Sequence, residues 1–464
     1  MAFTPRIGDN SWFAIAKQTD SETPADETGD FVQNRFPFTS LGIDVESELQ
    51  ASEAIAGRRS DTRDQQGQLW GSGPIETQLY INKMDEFWRA IINSDAPSKT
   101  SDPKTIVAIE DEGVYTEAAF KETISSDEDP NPFTAPETPG QIEIKLEATE
   151  TNTLPTDAAI GTVEVQGQRR VGLETDALIP MKETGLAFTS GVAKTSKYFA
   201  RVDKVIFTVP EATTTLTETT ATTTITAKSG QSTFVYKNKD AIFPGWTMQL
   251  ARGKVPAVAE GAVPVNSTLT MGDSIRLSME ILARKLQPFR EIGKKTEALE
   301  ISDAWDDIDF VPDTFYPNWG GYLEVEDACL IFTNLTLNIN QNLDFLPGVK
   351  GSRYRLPVAP TGERRNVTLN ATVYYEFDDS NDRWSEIFRD NAARELTASC
   401  YYWDEAGKEF RQTFKLPVSY LTASPRIGVD SRGPITRELA FKGVPLSDTK
   451  PDEIEIEIVM DTPA

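Results

Sequence analysis

Apolar and polar positions alternate along much of the chain, and two of these runs copy one another. Residues 38–50 read FTSLGIDVESELQ and residues 332–344 read FTNLTLNINQNLD. At a spacing of 294 residues Phe38 falls on Phe332, and Leu41, Ile43 and Val45 fall on Leu335, Leu337 and Ile339. A period of two is the mark of a strand with one buried face. Each copy leads through a long loop to a second alternating run, PIETQLYI at 74–81 and NVTLNATVYYEF at 366–377. Ile75, Thr77, Leu79 and Ile81 share a face in the first, and Val367, Leu369, Ala371, Val373 and Tyr375 in the second. A short helix follows each, WRAIINSD at 88–95 and WSEIFRDN at 384–391. Trp88, Ile91 and Ile92, and their matches Trp384, Ile387 and Phe388, lie on one helical stripe. Trp88, Ile91, Trp384 and Ile387 are therefore expected in the core. The spacing has grown to 296, as a two-residue loop insertion produces.

Closing strands complete each copy: 409–421 and 433–443 in the second, 232–250 and 272–282 in the first. The prediction is an α+β, mostly β chain holding two tandem units, each an antiparallel sheet with one packed helix. The expected layout is a polar N-terminal arm at 1–30 and a discontinuous first domain at 31–100 and 222–288. A β-rich insertion occupies 101–221, a linker 289–324, and the second domain 325–464. The insertion carries a Pro-rich link, SSDEDPNPFTAPETPGQ, then alternating runs such as QIEIKLEA and KVIFTVP, and ends in a threonine tract. Threonine favours extended backbone.

Composition narrows the function. The 464 residues carry a net charge of −26, which argues against wrapping nucleic acid, since such proteins gain affinity by neutralising phosphates. An acidic wall that DNA passes without sticking fits the same number. No histidine is present, which removes Ser-His-Asp and Cys-His catalysis and His-ligated zinc. No catalytic residue, cofactor or metal ligand is expected, and the chain does not read as an enzyme. The acidic stretch with Asp303, Asp306, Asp307 and Asp309 lacks the spacing of an EF-hand and reads as a solvated loop. Cys329 and Cys400 lie in apolar runs, which predicts buried free thiols. No apolar run reaches membrane-spanning length, and the N-terminus lacks a signal-peptide layout. Two loops are basic, with Arg58, Arg59 and Arg63 in one and Arg353 and Arg355 in the other. Arg forks suit acidic partners, so these are candidate inter-subunit contacts, with loop solubility the competing reading.

The paired FTxLxxxxxxxL strands, the helices DEFWRAII and DRWSEIF, and the closing GPITRELAFKG run resemble the major tail tube proteins of long-tailed, non-contractile (siphovirus-type) bacteriophages. The closest likeness is to those with two tube domains per chain. The resemblance covers roughly 31–100, 232–288 and 325–460, and not the insertion. It implies a structural virion protein, assembled in the host cytoplasm, that forms homotrimeric, pseudo-hexameric rings stacked into a tube. The joined sheets would form an inner β-barrel with helices outside. The implied partners are other copies of the chain, a tape measure protein in the lumen, and tail terminator and distal tail proteins at the tube ends. DNA would pass through during ejection without specific binding.

In such a ring the polar strand faces turn inward. That places Asp44, Glu46, Glu76, Gln78, Asn338, Asn340, Asn370 and Thr372 on the lumen wall, although the same alternation fits a sheet facing bulk solvent. Two alternatives stay open from sequence: another tail component of similar fold (a distal tail or terminator protein), and a carbohydrate-binding or hydrolytic tail protein using the insertion.

Overall fold

A computed structural model describes residues 12–18, 36–50, 65–81, 84–92, 106–108, 112–119, 121–128, 130–135, 139–148, 161–172, 177–209, 221–228, 231–237, 245–252, 255–288, 316–317, 320–326, 328–346, 358–361, 364–374, 383–428, 435–445 and 453–461. The chain is mostly strand with few helices. Its strands, in chain order, begin with β1 (Trp12–Lys17), β2 (Phe36–Pro37), β3 (Ser40–Leu41), β4 (Asp44–Gln50) and β5 (Gln65–Gln78). The first helix, Asp85–Ile92, follows. Next come β6 (Ile106–Ala108), β7 (Glu112–Ala119), β8 (Thr123–Ser125), β9 (Gly140–Ala148), β10 (Thr162–Arg170), β11 (Leu178–Ala187), β12 (Val192–Phe199), β13 (Arg201–Thr208) and β14 (Ala221–Lys228). Then β15 (Gln231–Lys237), β16 (Trp246–Arg252), β17 (Val255–Met271), β18 (Arg276–Pro288), β19 (Gly321–Val325), β20 (Ala328–Leu330), β21 (Phe332–Asn340), β22 (Leu343–Phe345), β23 (Val358–Pro360) and β24 (Asn366–Tyr374) lead to the second helix, Arg383–Arg389. The chain closes with β25 (Arg394–Trp403), β26 (Glu409–Leu421), β27 (Arg426–Gly428), β28 (Thr436–Gly443) and β29 (Glu455–Asp461).

Two compact units result. One comprises 1–96, 236–400 and 413–456; the other comprises 97–235, 401–412 and 457–464.

In the first unit the repeat is visible as strand register. Ser40 pairs with Glu76 and Asp44 with Ser72, while Asn334 pairs with Thr372 and Asn338 with Thr368. The first strands are thus 294 residues apart and the second strands 296, the same growth that the sequence shows. Each second strand then pairs with a closing strand in matching register: Ile75 with Met279, and Ala371 with Leu439. In the first copy the hairpin partner of that closing strand is β17, not the 232–250 stretch expected from sequence. β16 lies beyond β17, on the far side from β18, and pairs with β1. The match extends upstream. β1 pairs with β2 and β16, as β19 pairs with β20 and β25. Residues 12–17, within the stretch read as an arm, therefore form the strand that corresponds to Gly321–Val325.

The copies join edge to edge. β17 pairs with β21, with Leu269 opposite Leu337, giving one antiparallel series β4–β5–β18–β17–β21–β24–β28–β27. Odd positions of β5, β18, β21 and β24 point into the core: Ile75, Leu277, Met279, Leu335, Leu337, Val367 and Leu369 are buried. The first helix packs against β1 and β17. There Phe87 meets Phe36 edge-on at 4.5 Å and Phe13 at 5.2 Å between ring centroids. Trp88, Ile91, Trp384 and Ile387 are all buried. Phe388 is half-exposed, because its stripe turns off the packed face at the helix end. Val45 was expected beneath the helix and is instead 48% exposed, because it sits where β4 runs past the covered part of the sheet. Cys329 is exposed and Cys400 buried, both free. Cys329 lies on a three-residue strand whose outer face is open, so its apolar neighbours do not enclose it.

The second unit contains two four-stranded sheets, β11–β10–β13–β8 and β12–β9–β14–β7. Ile124, Ile142, Ile144, Val163, Val165, Val205, Phe207 and Ile225 fill the core between them, a β-sandwich. Residues 401–412 belong to this unit. The Tyr198 N–H donates to the Ala406 carbonyl at 2.7 Å, and Arg169 Nη1 to the Asp404 carbonyl at 2.6 Å. Gly407, with φ of +84°, lies against the Tyr198 carbonyl, where a Cβ would come within 2.4 Å.

Candidate functional site

The opposite face of the long sheet is polar across its whole width. Strand alternation puts even positions of β5 and β18 on this face, and pairing aligns them in rows. One row runs Ser40, Glu76, Ser278, Thr268, Asn338, Thr368 and Lys442. The next runs Gln78, Arg276, Thr270, Thr336 and Asn370. Glu76, Gln78, Asn338, Asn340 and Thr372 are half-buried, and Asp44, Glu46 and Asn370 exposed. All eight candidate wall residues therefore lie on one side of one continuous sheet.

Side chains on this face hold one another. Asn338 Nδ2 donates to Thr268 Oγ1 at 3.1 Å across the joint between copies. Ser72 Oγ donates to Glu46, and the Asn340 carbonyl oxygen accepts from the Asn342 backbone N–H at 2.9 Å. The closing strands add cations that the first two strands of each copy lack. Arg276 Nη1 sits 3.2 Å from Glu76 Oε1, with its Nε donating to Ser274 Oγ at 2.7 Å. Lys442 is exposed at the end of its row. The face is thus mixed in sign but carries an excess of acid, since Asp44, Glu46, Glu280 and Glu438 add to Glu76. Sequence reasoning missed Arg276 and Lys442 because it examined the first two strands alone. The signal was present, because RLSME and ELAFK alternate with the same period.

Chemistry on the face is sparse. Its hydroxyls and amides lack a base to activate them, and among the described residues no cluster of acids and cysteines is placed to hold a metal ion. Tyr322, near the rim, is pushed well above its ordinary pKa by burial and by its hydrogen bond to Glu324, at 2.7 Å, so it stays a neutral phenol. Arg58, Arg59, Arg63, Arg353 and Arg355 lie outside the described residues, as does the acidic stretch 303–313. No helix among the described residues is long and apolar enough to cross a membrane.

A comparison with curated proteins found no match. The family model for the phage tail tube protein matches residues 8–443, which includes both copies of the repeat and the insertion. The chain is a structural component of the virion and belongs to the phage tail tube protein family.

Proposed function

We propose that the chain polymerises as trimeric, pseudo-hexameric rings stacked into the tail tube of a non-contractile phage. The lumen encloses a tape measure protein during assembly and conducts DNA during ejection. One observation carries this reading: the two copies present the same strand register and join edge to edge into one sheet with a single polar face. Repeating that joint around an axis closes a barrel without sheet edges. The helices then lie outside, since they pack on the apolar face, and the polar face lines the channel.

On this reading Asp44, Glu46, Glu76, Gln78, Asn338, Asn340, Asn370 and Thr372 form the wall. Its acid excess repels phosphates over about 8–10 Å at moderate salt, which keeps DNA from binding as it passes. The basic loops with Arg58, Arg59, Arg63, Arg353 and Arg355 reach neighbouring subunits, and the β-sandwich decorates the exterior. Tail terminator and distal tail proteins cap the ends, with assembly in the host cytoplasm. Electron microscopy of the purified protein tests the core of this. Hollow tubes with threefold rings and six tube domains per ring are expected, and compact particles at all concentrations would refute it.

A further inference from the structure

Within one chain the joint between copies is fully registered: Thr270 pairs with Thr336, Leu269 with Leu337 and Thr268 with Asn338. The same positions can be found at the two outer ends of the sheet. On the β17 side, Thr268 pairs with Ser278, and Ser278 corresponds to Glu438, whose partner is Arg426. Thr268, Leu269 and Thr270 thus correspond to Arg426, Ile427 and Gly428. On the β21 side, Asn338, Leu337 and Thr336 correspond to Asp44, Ile43 and Gly42, because Asn338 pairs with Thr368 as Asp44 pairs with Ser72.

From this we infer that the joint between chains is an antiparallel pairing of residues 42–44 of one copy with 426–428 of the next. Its register sets Gly42 opposite Gly428, Ile43 opposite Ile427 and Asp44 opposite Arg426. The inference rests on the ring reading above and adds the strands, the register and the charge pair.

Three observations support it. Among the described residues β5 is the strand registered against β3 and β4, and β28 the one registered against β27, so both stand at ends of the paired series. Val45 is 48% exposed, whereas its repeat mate Ile339, beside the internal joint, is 2% exposed. That difference fits a position whose cover comes from another copy. Finally, an acid and an arginine take the positions held internally by Asn338 and Thr268. Direct cross-strand opposition is where charge is felt most strongly in a sheet. Head-to-tail contacts between unlike edges generate rings or filaments, which is the assembly required.

The pairing also has a handed detail. The Gly42 N–H bonds the Pro74 carbonyl at 2.8 Å, so even positions of this segment bond toward β5 and odd ones toward the joint. Ile43 and Ile427 then form the hydrogen-bonded pair. Asp44 and Arg426 form the closer, non-bonded pair, with Cα atoms roughly 4.5 Å apart, within disulfide reach.

The test uses the full chain with Cys329→Ser, assembled and mildly oxidised. Asp44→Cys with Arg426→Cys is expected to move most chains into disulfide-linked multimers on a non-reducing gel, while either single variant stays monomeric. Val45→Cys with Arg426→Cys, off register by one, should link far less. In parallel, Asp44→Lys should reduce assembly by at least about tenfold at low salt, since like charges then face each other. Adding Arg426→Asp should restore it. Rings visible by microscopy without the cross-link, or assembly indifferent to Asp44→Lys, would overturn the joint while leaving the tube reading intact. Wild-type protein that never forms rings would overturn both.

Discussion

Between the two tube domains lies a buried polar chain whose energetics can be worked out in advance. Arg365 Nη1 lies 3.1 Å from Glu453 Oε2, with side chains only 7% and 8% exposed. Arg365 Nε donates to Gln341 Oε1 at 2.6 Å, and Gln341 Nε2 donates to the Ile91 carbonyl at the end of the first helix. The chain therefore ties the first copy's helix to the second copy's strands. Replacing Glu453 by Leu leaves the guanidinium without that carboxylate, and breaking a buried pair by removing one partner costs about 3–5 kcal/mol. Replacing Arg365 and Glu453 together by Leu removes both charges, which is close to neutral for the pair itself. It leaves the Gln341 oxygen without its donor, at about 1–3 kcal/mol. The double variant should thus be more stable than the single one by roughly 2 kcal/mol, the reverse of additivity. Urea unfolding of unassembled protein, followed by tryptophan fluorescence, reads the difference. A single variant within about 1 kcal/mol of wild type, or a double variant no better than the single, would refute this account.

Three further outcomes are expected. Trp88→Ala should cost ~3–5 kcal/mol, because Trp88 is fully buried and meets Phe414 edge-on at 4.9 Å. Trp384→Ala should cost less, since Trp384 is 7% exposed and lies 6.3 Å from Phe441; unfolding midpoints in the opposite order would contradict the packing. A thiol reagent should label native Cys329 within minutes and spare Cys400, whose pKa burial pushes up, until the chain unfolds; mass spectrometry showing two labels on native protein would contradict this. Replacing 101–221 by a Gly/Ser linker should cause aggregation by itself, because residues 401–412 lose the Tyr198 and Arg169 contacts where Trp403 and Phe410 are buried. The same deletion with 401–412 shortened to a tight turn should stay folded and form rings, as judged by gel filtration and microscopy; failure to form rings would give the sandwich a part in assembly.

Much of the fold was legible because a duplicated pattern can be checked against itself. The growth in spacing from 294 to 296 residues, read between the Phe38 and Trp88 matches, is the register shift that separates the two strand pairs. What stayed hidden was masked by local composition. β17 reads VPAVAEGAVPVNSTLTM, and its two prolines and glycine mark a break rather than a strand. It survives as a long strand because its register shifts between Pro264 and Asn266 absorb the irregularity. β1, WFAIAK, is a short apolar run in a polar stretch, and its strand character depends on β16, far away in sequence. The link between 401–412 and the insertion could not be read at all, since two backbone carbonyls make its contacts and carbonyls leave no trace in side-chain pattern. Within the polar face, alternation identified the side on which each residue lies, but only pairing revealed that Arg276 stands beside Glu76.

Duplication changes what each joint must accomplish. The internal joint forms between segments of one chain, whose effective concentration for each other is high, so modest contacts suffice. A neutral Asn338–Thr268 bond at 3.1 Å meets that need. An exposed strand edge faces the opposite problem, because any edge of suitable length can pair with it wrongly. Charge at that edge raises the cost of a wrong partner: β4 against another β4 would set acids such as Asp44 and Glu46 near their own kind. Opposed to Arg426, Asp44 instead meets its complement. Two copies of one ancestral strand pair can therefore diverge, with the covalently tethered joint staying neutral and the free one acquiring charge. The same pairing bears on the channel, since an acid balanced by arginine at every inter-chain joint leaves the repulsive work to the acids between joints, chiefly Glu280 and Glu438.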